Sequence, residues 1–364
     1  MASLANLVPD PTTRNLYAPR PAAIQVTGFT APGLGAIVVF YILGDIVYGM
    51  IGQSNGYDYP FIYNLDTQVF SFPAGITTSN VPATQSIVGD WTPPTMDNLG
   101  AYIIVTHPGF TGAANGFFGW FDLTNPSAPV WKSGNTKINP LVAVPTACAQ
   151  FGGRIYFAVG NATPATDEFN PLQITNANQV LTFGGSNPIT ALAGLGLNNQ
   201  VSGGIVQSLM VFKGVEDIWQ VTGDYTGTPS PWSVNTLNVA TGTLAPNAVT
   251  PTPGGLAFVA PEGIRTMDFN ANISKPLGMF GKGVSVPFQN AVAPSRMCAA
   301  YNVETLRVAV RLSATQASLP NGQGTVEYWY NFTLGEWTGP HSLPTIFIRP
   351  YKSTFFGSMV PYAA

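Results

Sequence analysis

The chain has 364 residues, with 14 Lys+Arg against 17 Asp+Glu and a net charge of −3. Only 9% of its residues are charged, and they are scattered singly. That excludes the basic patch a protein needs to displace counterions and grip nucleic acid. With 39 Gly, 32 Pro and a 45% hydrophobic fraction, the chain is neither a helical bundle nor disordered. Its turn-rich, β-branched and aromatic segments point to an all-β protein.

In chain order, residues 1–22 are rich in Pro, Asn and Thr and read as an extended N-terminal arm, with residues 23–364 as a single folded domain. Met1 to Pro21 has neither a basic start nor a following apolar core, so no secretory leader is expected there. Ala23–Phe29 can form a first strand. Leu34 to Ile51 is long and apolar enough to imitate a membrane span, but Gly44-Asp45 interrupts it midway. An ionised carboxylate is costly in lipid. The pair instead suits a two-residue turn, giving a buried hairpin of Ile37–Leu43 and Ile46–Ile51 and no stable membrane insertion.

A repeat follows. Tyr63-Asn64-Leu65-Asp66, Phe121-Asp122-Leu123-Thr124, Trp219-Gln220-Val221-Thr222, Met267-Asp268-Phe269-Asn270 and Tyr330-Asn331-Phe332-Thr333 share one pattern: bulky, polar, apolar, turn-capable. Phe169-Asn170-Pro171 is a weaker copy. The bulky positions are 58, 48, 50, 48 and 63 residues apart. Such a period marks one supersecondary unit used repeatedly. Upstream strands are expected at Tyr102–Thr106, Arg154–Val159, Leu209–Phe212 and Leu256–Ala260. Downstream strands are expected at Gln68–Phe72, Val130–Trp131, Gln179–Phe183, Trp232–Leu237 and Glu336–Trp337. Three to four strands per unit make a β-propeller blade. Six clear units, with a seventh composed of the C-terminal strands and Ala23–Phe29, give about six to seven blades.

Asn64, Asp122, Asp268 and Asn331 are expected to accept a backbone N–H within their own turns. Leu306–Leu312 alternates apolar residues with Arg307, Ala309 and Arg311, which predicts one wet face. Cys148 and Cys298 lack metal-ligand spacing and read as buried small hydrophobes. His107 and His341 sit beside prolines and read as surface loop residues. No phosphate loop, nucleophile elbow or zinc motif is present, so the sequence names no catalytic, cofactor-binding or metal residue. Asp66, Asp122 and Asp217 occupy related blade positions, and a sugar-cleaving site would require them to converge.

Within the second half, Leu209-Met210-Val211-Phe212 precedes Asp217-Ile218-Trp219-Gln220-Val221-Thr222-Gly223-Asp224. Then come Ala245-Pro246-Asn247-Ala248-Val249, Gly255 to Ile264 and Ile273-Ser274-Lys275-Pro276-Leu277. This order resembles the β-propeller tail nozzle (tail tubular) proteins of short-tailed bacteriophages, chiefly over 205–280. The resemblance implies a non-enzymatic virion structural protein, assembled in the host cytoplasm and placed in the tail. It implies a homo-oligomeric ring, a hexamer, around the DNA-ejection channel, with an adaptor ring above and fibres or a plug at the side or tip. DNA would pass without tight binding. A monomeric binding or adhesion propeller is the alternative, ahead of a carbohydrate-active enzyme. Native mass separates the first two.

Overall fold

The computed structural model describes residues 7–9, 17–19, 35–85, 90–112, 114–196, 207–223, 232–237, 240–277, 288–312 and 324–359. Among them helix is limited to the 3-10 turn Pro294–Arg296 and one short turn at 288–289. No helix among the described residues is long and apolar enough to cross a membrane.

The strands assemble as a β-propeller. Blade 1 comprises Ile37–Leu43, Ile46–Gly52, Asp58–Asn64 and Val69–Ser71. Its first hairpin has the expected register, with Leu43 opposite Ile46. Gly44 holds the turn at φ 62°, a left-handed conformation that glycine adopts without steric cost. Blade 2 comprises Thr95–Leu99, Tyr102–Thr106, Phe118–Asp122 and Val130–Gly134. Blade 3 comprises Ala191–Gly196, Gln207–Lys213, Asp217–Thr222 and Ser233–Thr236. Blade 4 has three strands, Val249–Thr252, Gly255–Ala260 and Gly263–Met267. Blade 5 comprises Cys298–Asn302, Thr305–Arg311, Thr325–Asn331 and Glu336–His341.

Five sheets therefore reach blade size, which corrects the expectation of six to seven. Between blades 2 and 3, the third unit breaks into two-stranded pieces: Ala147–Phe151 with Arg154–Ala158, Ala162–Pro164 with Val180–Thr182, and Lys137–Ile138 with Gln173–Ile174. The physical reason lies in its turn. Phe169 is 75% exposed at φ 55° where four of the other copies bury Tyr63, Phe121, Met267 and Tyr330, and Pro164 ends the preceding strand. After blade 5 the chain adds only the hairpin Thr345–Tyr351 with Thr354–Met359. Ala23–Phe29, expected to complete it, lies outside the described residues.

First strands touch in cyclic order: blade 1, blade 2, the split sector, blade 3, blade 4, blade 5, the terminal hairpin, and blade 1 again. The terminal hairpin closes that circle. Phe347 and Phe356 meet Phe40 edge-on at 5.0 and 5.2 Å, and Ser358 Oγ donates to the Ile37 carbonyl at 3.0 Å. Its Tyr351 hydroxyl donates to Asp45 at 2.6 Å. On the other side, Thr345 donates to Glu327 of blade 5, and Phe355 lies 4.9 Å under the Arg307 guanidinium. The predicted wet face of 306–312 is thus covered. Arg307 Nε bonds the buried Glu327 at 2.7 Å, and Ala309 is buried.

In the N-terminal arm, Leu7–Pro9 pairs antiparallel with Tyr17–Pro19, and the first of these lies beside Glu336–His341 of blade 5. A short ladder thus stands within a segment expected to be simply extended.

Candidate functional site

The turn residues do what their chemistry requires. Asn64 Oδ1 accepts from the amides of Asp66 and Thr67, both at 2.9 Å. Asp122 Oδ1 accepts from the Thr124 amide at 3.1 Å and its hydroxyl at 2.7 Å. Asp268 Oδ1 accepts from Asn270 and Asn272, and Asn331 Oδ1 from Leu334. In blade 3 the pattern is displaced by one pleat. Val221 fills the buried position, and Trp219 is half-buried against Phe183 at 5.9 Å.

The reactive residue types are taken up by architecture. His107, expected on the surface, is fully buried. Its Nδ1 accepts from the Gly109 amide at 2.9 Å, so Nε2 carries the proton and donates to Asp58 Oδ2 at 2.8 Å. Both ring nitrogens are engaged, and the bond ties blade 1 to the loop after Tyr102–Thr106 of blade 2. His341 is also buried, with Nε2 3.1 Å from the Thr338 hydroxyl and its ring 4.3 Å from that of Trp329. The causes differ: His107 lies in a loop that folds in against Asp58 of blade 1, whereas His341 is the last residue of the blade 5 strand Glu336–His341, opposite Glu327. Cys148 and Cys298 are free and buried, and burial pushes their thiols up to about 12 and about 11. Asp66, Asp122 and Asp217 do not converge. Asp122 binds Lys132 at 2.7 Å within its own blade, and Asp217 lies opposite Lys213 in the same hairpin. Among the described residues no group of three or more His, Cys, Asp or Glu is placed to hold a metal ion.

What the sequence did not disclose is an axial cavity of about 820 Å³. It is walled by residues from every successive first strand, far apart in sequence, so no local motif could announce it. Tyr41 comes from blade 1, Asp97 from blade 2, Gln150 from the split sector, Tyr301 from blade 5 and Arg349 from the terminal hairpin. The Gly152-Gly153 turn, Glu168 and Phe169 also line it. At the other end of the inner strands, Asn247 Nδ2 reaches from the approach to blade 4 to the Pro94 carbonyl before blade 2, 3.0 Å away. Blades 2 and 4 are not neighbours in the ring, so this bond crosses the interior and floors the cavity.

Asp97 spans two strands. Its Oδ2 accepts from the Gln150 amide at 2.6 Å and its Oδ1 from the Asn98 amide at 2.8 Å. Two residues earlier, the Thr95 hydroxyl accepts from the Cys148 amide at 2.9 Å. The period-two spacing places both side chains along the same neighbouring strand. Burial raises the Asp97 carboxyl, while the two amides and the nearby Arg349 act against that rise. Burial and the Asp97 charge likewise raise the Tyr41 phenol, with Arg349 opposing. Arg349 lies over Phe347 at 5.0 Å, and its buried Nε has no hydrogen-bond partner.

An all-β propeller with an axial pocket is the class that fold and site define. No protein-family model matches the chain, and no curated protein matches it in sequence. Among solved structures it is similar to puromycin hydrolase, at 12% identity and TM-score 0.50, covering 89% of this chain and 50% of that one. The chain thus spans about half the length of that hydrolase. AztD of Citrobacter koseri aligns at 13% identity and TM-score 0.41, over 83% of this chain and 69% of that one. The BP39L lectin of Burkholderia pseudomallei aligns at 15% identity and TM-score 0.45, over 81% and 80%. These likenesses concern the fold alone.

Proposed function

We propose that the chain is a non-catalytic structural subunit of the bacteriophage tail-nozzle type, closing with copies of itself into a ring of six around a DNA passage. The observation that carries this reading is the role of the residues behind the family resemblance. Asn247 of the Ala-Pro-Asn-Ala-Val stretch locks blade 4 to blade 2, with Ala245 and Ala248 buried on either side. Gly255 opens the following hairpin where a Cβ would stand 2.0 Å from the Met267 carbonyl. Each of these residues serves the scaffold.

On this reading DNA would run in the lumen between subunits, because the Asn247 bond crosses the interior of a single propeller. Heterologous contacts repeated about a rotation axis close such rings. A wall with few and scattered charges lets a phosphate backbone slide, whereas a basic wall would hold it. The virion tail, the adaptor ring, and the fibres or plug follow from the same reading.

Native mass spectrometry of the full chain tests it. Closed hexamers are expected, with duplex DNA bound no tighter than ~10⁻⁴–10⁻⁶ M at physiological salt. A monomer persisting at high concentration, or a nanomolar DNA complex, overturns it.

A further inference from the structure

The axial cavity contains charged groups that the scaffold does not pair with each other. Arg349 and Asp97 act on each other electrostatically, yet Asp97 spends its strong bonds on the Gln150 and Asn98 amides. Arg349 lines the space beside the Phe347 ring, and its Nε has no hydrogen-bond partner among the described residues. A half-buried guanidinium whose hydrogen-bonding capacity the scaffold leaves partly unfilled is open to a ligand that fills it. The volume, about 820 Å³, is that of a small-molecule pocket.

We infer that this pocket binds a small acidic sugar, with Arg349 taking its carboxylate and Asp97, Tyr41 and Gln150 taking adjacent hydroxyls. The donor set argues for that class. A guanidinium fork matches a carboxylate in two parallel bonds. Each oxygen of Asp97 accepts one amide and keeps a lone pair, so it takes a hydroxyl proton. Tyr41 supplies a phenol that both donates and accepts, and Tyr301 and Phe151 give aromatic wall. The charges lining the pocket are Arg349, Asp97 and Glu168. Inorganic phosphate would bring up to two negative charges and only one or two hydroxyls to a wall with two carboxylates. A monoanionic sugar brings one charge for Arg349 and several hydroxyls for the carboxylates. The Gly152-Gly153 turn has no side chains to crowd its part of the wall, beside the exposed Phe169.

The test is calorimetric titration of the full chain with sodium glucuronate, glucose and inorganic phosphate at constant ionic strength. Glucuronate is expected to bind, and glucose and phosphate to bind at least roughly 10-fold more weakly. Arg349→Met should weaken glucuronate by roughly 10- to 100-fold, the worth of a charge-assisted hydrogen bond. Tyr41→Phe, which retains the ring, should weaken it by a few-fold and serves as the reporter if Arg349→Met does not fold. No binding of millimolar glucuronate, phosphate binding as tightly as glucuronate, or undiminished binding by the folded variants would each overturn the assignment. The titration reads the same on a ring or a single subunit, so its outcome is separate from that of the assembly proposal.

Discussion

Asp122 and Asp97 belong to the same blade and answer to opposite constraints. Asp122 ends a strand and closes its own turn, with Thr124 and Lys132 as partners from the same blade. Burial pushes its carboxyl up, but the hydrogen bonds from Lys132 and Thr124 outweigh that and hold it below the usual carboxylate value. Asp97 sits on the axis and serves the next inner strand, and there burial wins over its two amides and Arg349. One carboxylate stabilises a local turn. The other joins separate units and sits uneasily with its charge. The difference separates side chains that shape a blade from side chains that assemble the ring.

Breaking an assembling contact is expected to have the largest effect. His107→Ala leaves the fully buried Asp58 without its 2.8 Å partner across two blades. A buried charge left alone costs about 3–5 kcal/mol. Urea unfolding should register that loss; a change within ~0.5 kcal/mol, the range of an unremarkable surface site, would place His107 outside the set of assembling contacts.

Next comes Asp97→Asn. The Gln150 and Asn98 amides bond different oxygens of Asp97. A carboxamide can accept only one of them and must turn its NH₂ toward the other. The cost expected is about 1–3 kcal/mol, that of one unsatisfied buried donor. A neutral or stabilising result would mean that relieving the buried charge outweighs the lost bond.

Smaller still is Asn64→Ala in the first turn, where the two amides released lie in an exposed loop and can turn to water. About 0.5–1.5 kcal/mol is expected from chemical denaturation, the net worth of an ordinary hydrogen bond. An effect as large as that of His107→Ala would erase the distinction between shaping and assembling residues.

The turns were legible in the sequence because their chemistry is local. Asn64, Asp122, Asp268 and Asn331 each bond amides two to four residues ahead, and the hairpin at Gly44-Asp45 closes within a few residues. The assembling contacts were not legible. His107 meets Asp58 across 49 positions, and Asn247 meets Pro94 across 153. Nothing in the neighbourhood of either residue announces its partner. The blade count failed for a related reason. Phe169-Asn170-Pro171 matches the turn pattern in residue type, but the burial that gives the pattern its meaning is missing at Phe169. The axial cavity was the least visible, since its wall is assembled from strands far apart in sequence that also read as core.

The pH dependence of stability sharpens the comparison, because the two carboxylates should move it in opposite directions. Asp122 is depressed in the folded state, so its contribution is present above the unfolded value of about 3.9 and is lost as pH falls through its lower folded value. Asp97 is raised. The folded state holds its proton more tightly than the unfolded chain, so stability falls as pH climbs from about 3.9 through the folded value, then levels off. Acidification from neutrality therefore relieves Asp97 before it harms Asp122. Measured as the difference in unfolding free energy between wild type and variant, the Asp97→Asn gap should widen as pH falls from 7 toward 4. The Asp122→Asn gap should stay flat over that range and narrow only below it. These are the smallest of the expected effects, and they need matched denaturation curves at each pH. Gaps that move in parallel would mean that the axial carboxylate is as well solvated as the one in the turn.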